Sequence, residues 1–193
     1  MSEKPRYLGL LNAIAVAEGR AQTYLCVWAE VTPSDEVRHV LRTVAAREGE
    51  HASSFARRIN ELGYEVRTKD DTGELEKTIA LVRSNRSDLE KMKALKLHRL
   101  DSTDKPDIFD DFFKDHTIDI QTGALLGRYI AEERDSGRML RRCYEQLKLH
   151  TDTSEPSAPA SSNGRLEAKV DGLRRAVEEL RQIVCAQFMP TKS

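Results

Sequence analysis

An all-α protein is expected from three observations. Apolar residues recur at three- and four-residue steps along nearly the whole chain, and strand-like alternation is scarce. Only six prolines and ten glycines punctuate 193 residues. Charged residues make up 33% and hydrophobic residues 39%, a mixture suited to amphipathic helices that each bury one stripe. A chain of this length can form one well-buried domain plus an appendage.

The first helix is expected from about Tyr7 to Glu30, with Leu8, Leu11, Ala15, Glu18, Gln22, Leu25 and Trp28 inward. Val31-Thr32-Pro33-Ser34 ends it. Ser34 then suits the N-cap of a second helix, with Asp35 and Glu36 facing the dipole in the first turn. That helix runs to about Leu62 on an inner face of Val37, Val40, Val44, Glu48, His51, Phe55, Ile59 and Leu62, and Gly63 stops it. Asp70 to Gly73 forms a turn. A third helix follows from about Glu74 to Leu100, with two rival seams: Leu81, Asn85, Asp88, Met92, Leu95, or Ile79, Val82, Arg86, Leu89. Asp101 to Asp107 breaks it at Pro106, and Ile108 to Phe113 reads as a short helical piece. A fourth long helix is expected from about Ile118 to Leu149, with Leu125, Tyr129, Glu132, Ser136, Met139, Cys143 and Gln146 inward.

Residues 1–150 thus read as a helical bundle. The Ser-, Thr- and Pro-rich stretch 151–164 reads as a flexible linker, and 165–193 as a terminal helix. Leu166, Val170, Leu173, Val177, Leu180 and Val184 repeat at four- and three-residue steps, a heptad seam. This helix either forms a coiled coil with a second copy, giving a homodimer, or folds back along its own bundle. The polar remainder (Glu167, Lys169, Arg174, Glu178, Arg181) leaves a narrow stripe, which favours the dimer.

A net charge of −1 supplies no global field for nucleic acid or an anionic membrane. No apolar run approaches the roughly 20 residues needed to span a bilayer, and the polar start to Tyr7 has no signal-peptide pattern. Cys26, Cys143 and Cys185 form neither a zinc pattern nor an evident disulfide framework, so a cytoplasmic setting is expected.

The chemistry-bearing feature is an interruption. The inner stripes of the first, second and fourth helices are each broken midway by a carboxylate: Glu18, Glu48 and Glu132. His51 follows Glu48 by three residues, so both address one point from one helical face. A buried carboxylate without a partner costs several kcal/mol or stays protonated. Three carboxylates and an imidazole at one level call for a cation. Oxygen donors with one neutral imidazole suit iron or manganese, and zinc less specifically. Glu133 is the rival of Glu132 for the inward position, and Tyr24 and Tyr129 lie at the same level.

Glu18 on the first helix and Glu48-Gly49-Glu50-His51 on the second resemble the first half of the ferritin-like pattern, in particular its rubrerythrin-like branch. The resemblance implies an up-and-down four-helix bundle in which Glu48 and Glu132 are shared ligands and Glu18 and His51 terminal ones. The second helix also lies over the fourth as an internal repeat. "EGEHASSFARRINEL" matches "EERDSGRMLRRCYEQL", with Glu132 on Glu48 and Asp135 on His51. The pattern's second histidine is therefore an aspartate here, and the third helix offers only Asp88 or Glu90, with Arg86 nearby as a substitute charge. One metal position is complete on this reading (Glu18, Glu48, His51, Glu132), and a second would need Asp135 and Asp88.

Three functions follow as expectations. The first is oxygen or peroxide chemistry at an iron or manganese centre. Without a rubredoxin-like Cys-x-x-Cys domain, its electrons would come from a separate donor. The second is metal storage or handling without turnover. The third is a non-catalytic interaction protein whose bundle has lost its ion.

Overall fold

The computed structural model describes residues 4–68, 73–99 and 114–152, and every regular element among them is helical. In chain order these are α1 (Leu8–Val31), α2 (Asp35–Glu61), α3 (Glu74–Arg83), α4 (Asp88–Ala94), a 3-10 turn at Leu97–Arg99 and α5 (Ile120–Asp152). The short piece at Ile108–Phe113, nearly all of the linker and the heptad helix lie outside the described residues.

The first hairpin follows its local signals. Thr32 turns extended, with its N–H still bonded to the Trp28 carbonyl. Ser34 Oγ accepts from the Val37 N–H at 3.3 Å, as an N-cap does. The Arg38 guanidinium reaches back to the carbonyls of Ala29 (3.2 Å) and Thr32 (2.6 Å), satisfying acceptors that the end of α1 leaves free. Gly63 ends α2 with φ +83°, a left-handed conformation that glycine adopts without a Cβ penalty.

The expected single third helix is two. Ser84 turns extended after α3, and Ser87 opens α4 through a capping box: its hydroxyl accepts from the Glu90 N–H while Glu90 accepts from the Ser87 N–H. Each rival seam crosses the break, and each is buried on one side of it only: Val82 of one seam on α3, Asp88 and Met92 of the other on α4.

Two apolar clusters hold the helices. One joins Leu8, Leu11, Phe55, Ile59, Leu126 and Ile130. The other joins Leu25, Trp28, Val37, Leu41, Val44, Val82, Met92, Leu140 and Cys143. The start of α1 thus shares a cluster with the end of α2 and the start of α5. So α1 and α2 are antiparallel, and α5 runs against α2 and alongside α1. α3 packs on α1, and α4 with the 3-10 turn packs on α5. Asp88 ties α4 to the end of α1 by accepting from Trp28 Nε1 (2.7 Å) and Thr32 Oγ1 (2.6 Å). Among the described residues no helix is long and apolar enough to cross a membrane.

Two inner faces differ from expectation. On α1, Gln22 is exposed and lies over Gly49 of α2, where a Cβ would run into its amide. On α5, the inward line is Thr122, Leu126, Tyr129, Glu133, Ser136, Leu140 and Cys143; Leu125, Glu132 and Met139 flank it and Gln146 is exposed.

Candidate metal centre

Between the two apolar clusters lies a polar layer. Glu18 on α1, Glu48 and His51 on α2, and Glu133 on α5 each place one donor atom within 4.8 Å of the others. Glu18, Glu48 and His51 are only 7%, 5% and 4% exposed. His51 Nδ1 stands 3.4 Å from Glu133 Oε1 and 3.7 Å from Glu48 Oε2. Both His51 Nδ1 and Glu133 Oε1 are buried without a hydrogen-bond partner. The far ring nitrogen, Nε2, contacts Glu132 Oε2 at 2.8 Å. The Tyr129 hydroxyl donates to Glu18 Oε1 at 2.8 Å, and its ring stands edge-on to His51 with centroids 5.0 Å apart.

The electrostatics follow from crowding acids in a largely buried layer. Burial, helped by the neighbouring Glu48 and Glu133, pushes Glu18 up to about 9. Burial also raises Glu133, as does Glu48, against the opposing pull of His51. For Glu48 burial acts upward too, but His51 and Glu18 outweigh it and hold the group below the usual carboxylate range. Burial would lower His51, yet contacts with Glu133, Glu48 and Glu132 raise it to about 10. Tyr24, half-buried beside these acids, is pushed up to about 12, first by burial and then by their charge. Protons can therefore balance the group, and so could a metal ion. The donors fit a hard or borderline cation: carboxylate oxygens, one imidazole nitrogen, and two buried atoms without a hydrogen bond.

Of the sequence-derived candidates, Glu18, Glu48 and His51 come together. Glu132 and Asp135 fall outside the four-donor group. Glu132 approaches His51 from the opposite side of the ring and is held by Arg128 Nε at 2.9 Å. Asp135 pairs with Arg47 (2.7 Å) and Arg138 (3.3 Å). Neither third-helix candidate joins the group: Asp88 serves Trp28 and Thr32, Glu90 closes the cap of α4, and Arg86 is exposed. Glu133 takes the fourth place because the true phase of α5 turns it inward. The signal for it is the line Thr122, Leu126, Tyr129, Ser136, Leu140, whose missing inward member is residue 133.

No protein-family model, curated protein or solved structure matches the chain.

Proposed function

We propose that this is a ferritin-like metal protein that holds one iron or manganese ion through Glu18, Glu48, His51 and Glu133 and uses it for oxygen or peroxide chemistry. The observation that carries the reading is the facing pair of buried, unbonded atoms, His51 Nδ1 and Glu133 Oε1, 3.4 Å apart beside two more buried carboxylates. An unsatisfied buried polar atom costs about 1–3 kcal/mol, and one cation would satisfy both. The antiparallel α1–α2 pair, with its Glu and Glu-x-x-His facing each other and α5 alongside, supports the ferritin-like part.

A bound ion would supply Lewis-acid and one-electron chemistry. The chain's own groups prepare the place for it. Tyr129 orients Glu18, and the ring edge contact and Glu132 hold His51. The two apolar clusters limit access of bulk water from either end.

One observation favours a second reading, metal storage or handling without turnover. Three residues after the inward Glu133 stands Ser136 rather than a histidine, and Asp135 is paired with Arg47, so the described residues bring together donors for a single ion. Elemental analysis of the purified protein tests both readings. About one iron or manganese per chain is expected for a mononuclear carboxylate–imidazole site, and none in a Glu48→Ala/His51→Ala double variant. Absence of metal from both proteins would leave the interaction-protein reading. Peroxide consumption by the loaded protein then separates turnover from storage.

A further inference from the structure

Glu132 touches the histidine of the proposed site without facing its centre. Its Oε2 lies 2.8 Å from His51 Nε2, whereas the cluster of donors lies on the Nδ1 side. Its other oxygen accepts from Arg128 Nε at 2.9 Å, and Arg128 pairs in turn with Glu50. A carboxylate paired to a guanidinium is an acceptor only, so the proton in the 2.8 Å contact sits on Nε2. With Nε2 protonated, the neutral imidazole has its lone pair on Nδ1, aimed at Glu48 and Glu133. Nδ1 is also the buried ring atom that lacks a hydrogen bond.

We infer that Glu132 is a positioning residue for the ion rather than one of its ligands: it fixes the tautomer and ring orientation of His51, and is itself steadied from the surface by Arg128 and Glu50. The inference rests on the metal reading above. It assigns Glu132 and Glu133 different jobs. Glu133 offers a buried, unbonded oxygen to the centre, while both oxygens of Glu132 are already engaged. Partners of this kind on metal-bound histidines typically contribute about 10–100-fold in affinity.

The test compares Glu132→Ala, Glu132→Gln and Glu133→Gln in the full chain. Mn2+ affinity is measured by calorimetry, and the His51 tautomer by 15N NMR of histidine-labelled, Zn2+-loaded protein. Circular dichroism checks that each variant keeps its helices. Glu132→Ala should lower Mn2+ affinity by about 10–100-fold and lose the fixed Nε2–H signature. Glu132→Gln, whose amide oxygen can still accept from Nε2, should recover most of both. Glu133→Gln should weaken binding while keeping the Nε2–H signature at whatever Zn2+ loading is reached. Unchanged affinity and tautomer in Glu132→Ala would overturn the assignment. So would a loss in both Glu132 variants as complete as in Glu133→Gln, since that would make Glu132 a ligand. A wild-type protein that binds neither ion instead removes the metal reading on which the inference stands.

Discussion

Glu18 and His51 sit a few ångströms apart and are both driven toward their protonated forms, by different forces. Glu18 is raised because burial penalises its charge and Glu48 stands beside it; His51 is raised because three carboxylates stabilise the imidazolium against burial. Unfolded, the two titrate near about 4.3 and 6.5; folded, near about 9 and about 10. Between these values the folded state holds more protons than the unfolded one, so stability falls as pH rises. Each contribution is fully present below the unfolded value and lost on passing the folded one. The chelator-treated protein should therefore melt at progressively lower temperature from about pH 7 to about pH 10. Excess Mn2+ should remove that decline, because the ion takes over the charge balance from the protons. Its apparent affinity should rise through the same window as the competing protons leave. Thermal melts with and without Mn2+ measure this. A metal-free melting temperature that holds level or rises over the window would contradict it.

At the scale of elements, α4 owes its place to Asp88 more than to its own cap. Asp88→Ala would strand two buried donors, Trp28 Nε1 and Thr32 Oγ1, at a cost of about 3 kcal/mol. Ser87→Ala removes an exposed capping bond and should cost about 1 kcal/mol. Urea denaturation should rank them in that order, and Asp88→Ala should keep its metal content, since Asp88 is not among the four donors. The reverse ranking would mean that α4 is not pinned through Asp88. The same elements explain what the sequence made legible. The α1–α2 hairpin was readable because Pro33, Ser34 and Gly63 act locally, and with it came Glu18, Glu48 and His51. The break at residues 84–87 is readable in part: Ser87-Asp88-Leu89-Glu90 carries the capping-box spacing, but two apolar seams run past it. Glu133 was harder to place. Tyr129, Ser136 and Cys143 lie on both the expected and the observed inner line of α5, so periodicity alone left two phases open. Packing against α1 and α2 decides between them, through Leu126 and Leu140.

For the whole molecule, the four donors all come from one chain and from residues before 134, with apolar clusters on both sides of their layer. Nothing in that geometry requires a second copy to complete the site. The heptad seam from Leu166 to Val184 is by contrast a feature of association, as read from the sequence. The two properties should therefore separate. Removing residues 165–193 should reduce the particle size seen by light scattering, as loss of a two-stranded coil would, while metal bound per chain stays the same. An unchanged size would withdraw the coiled-coil dimer and leave the seam to pack on its own bundle. A smaller particle that no longer binds metal would mean that assembly shapes the centre, because the donors themselves would still be present. A smaller particle with full metal content would place chemistry in the bundle and association in the tail.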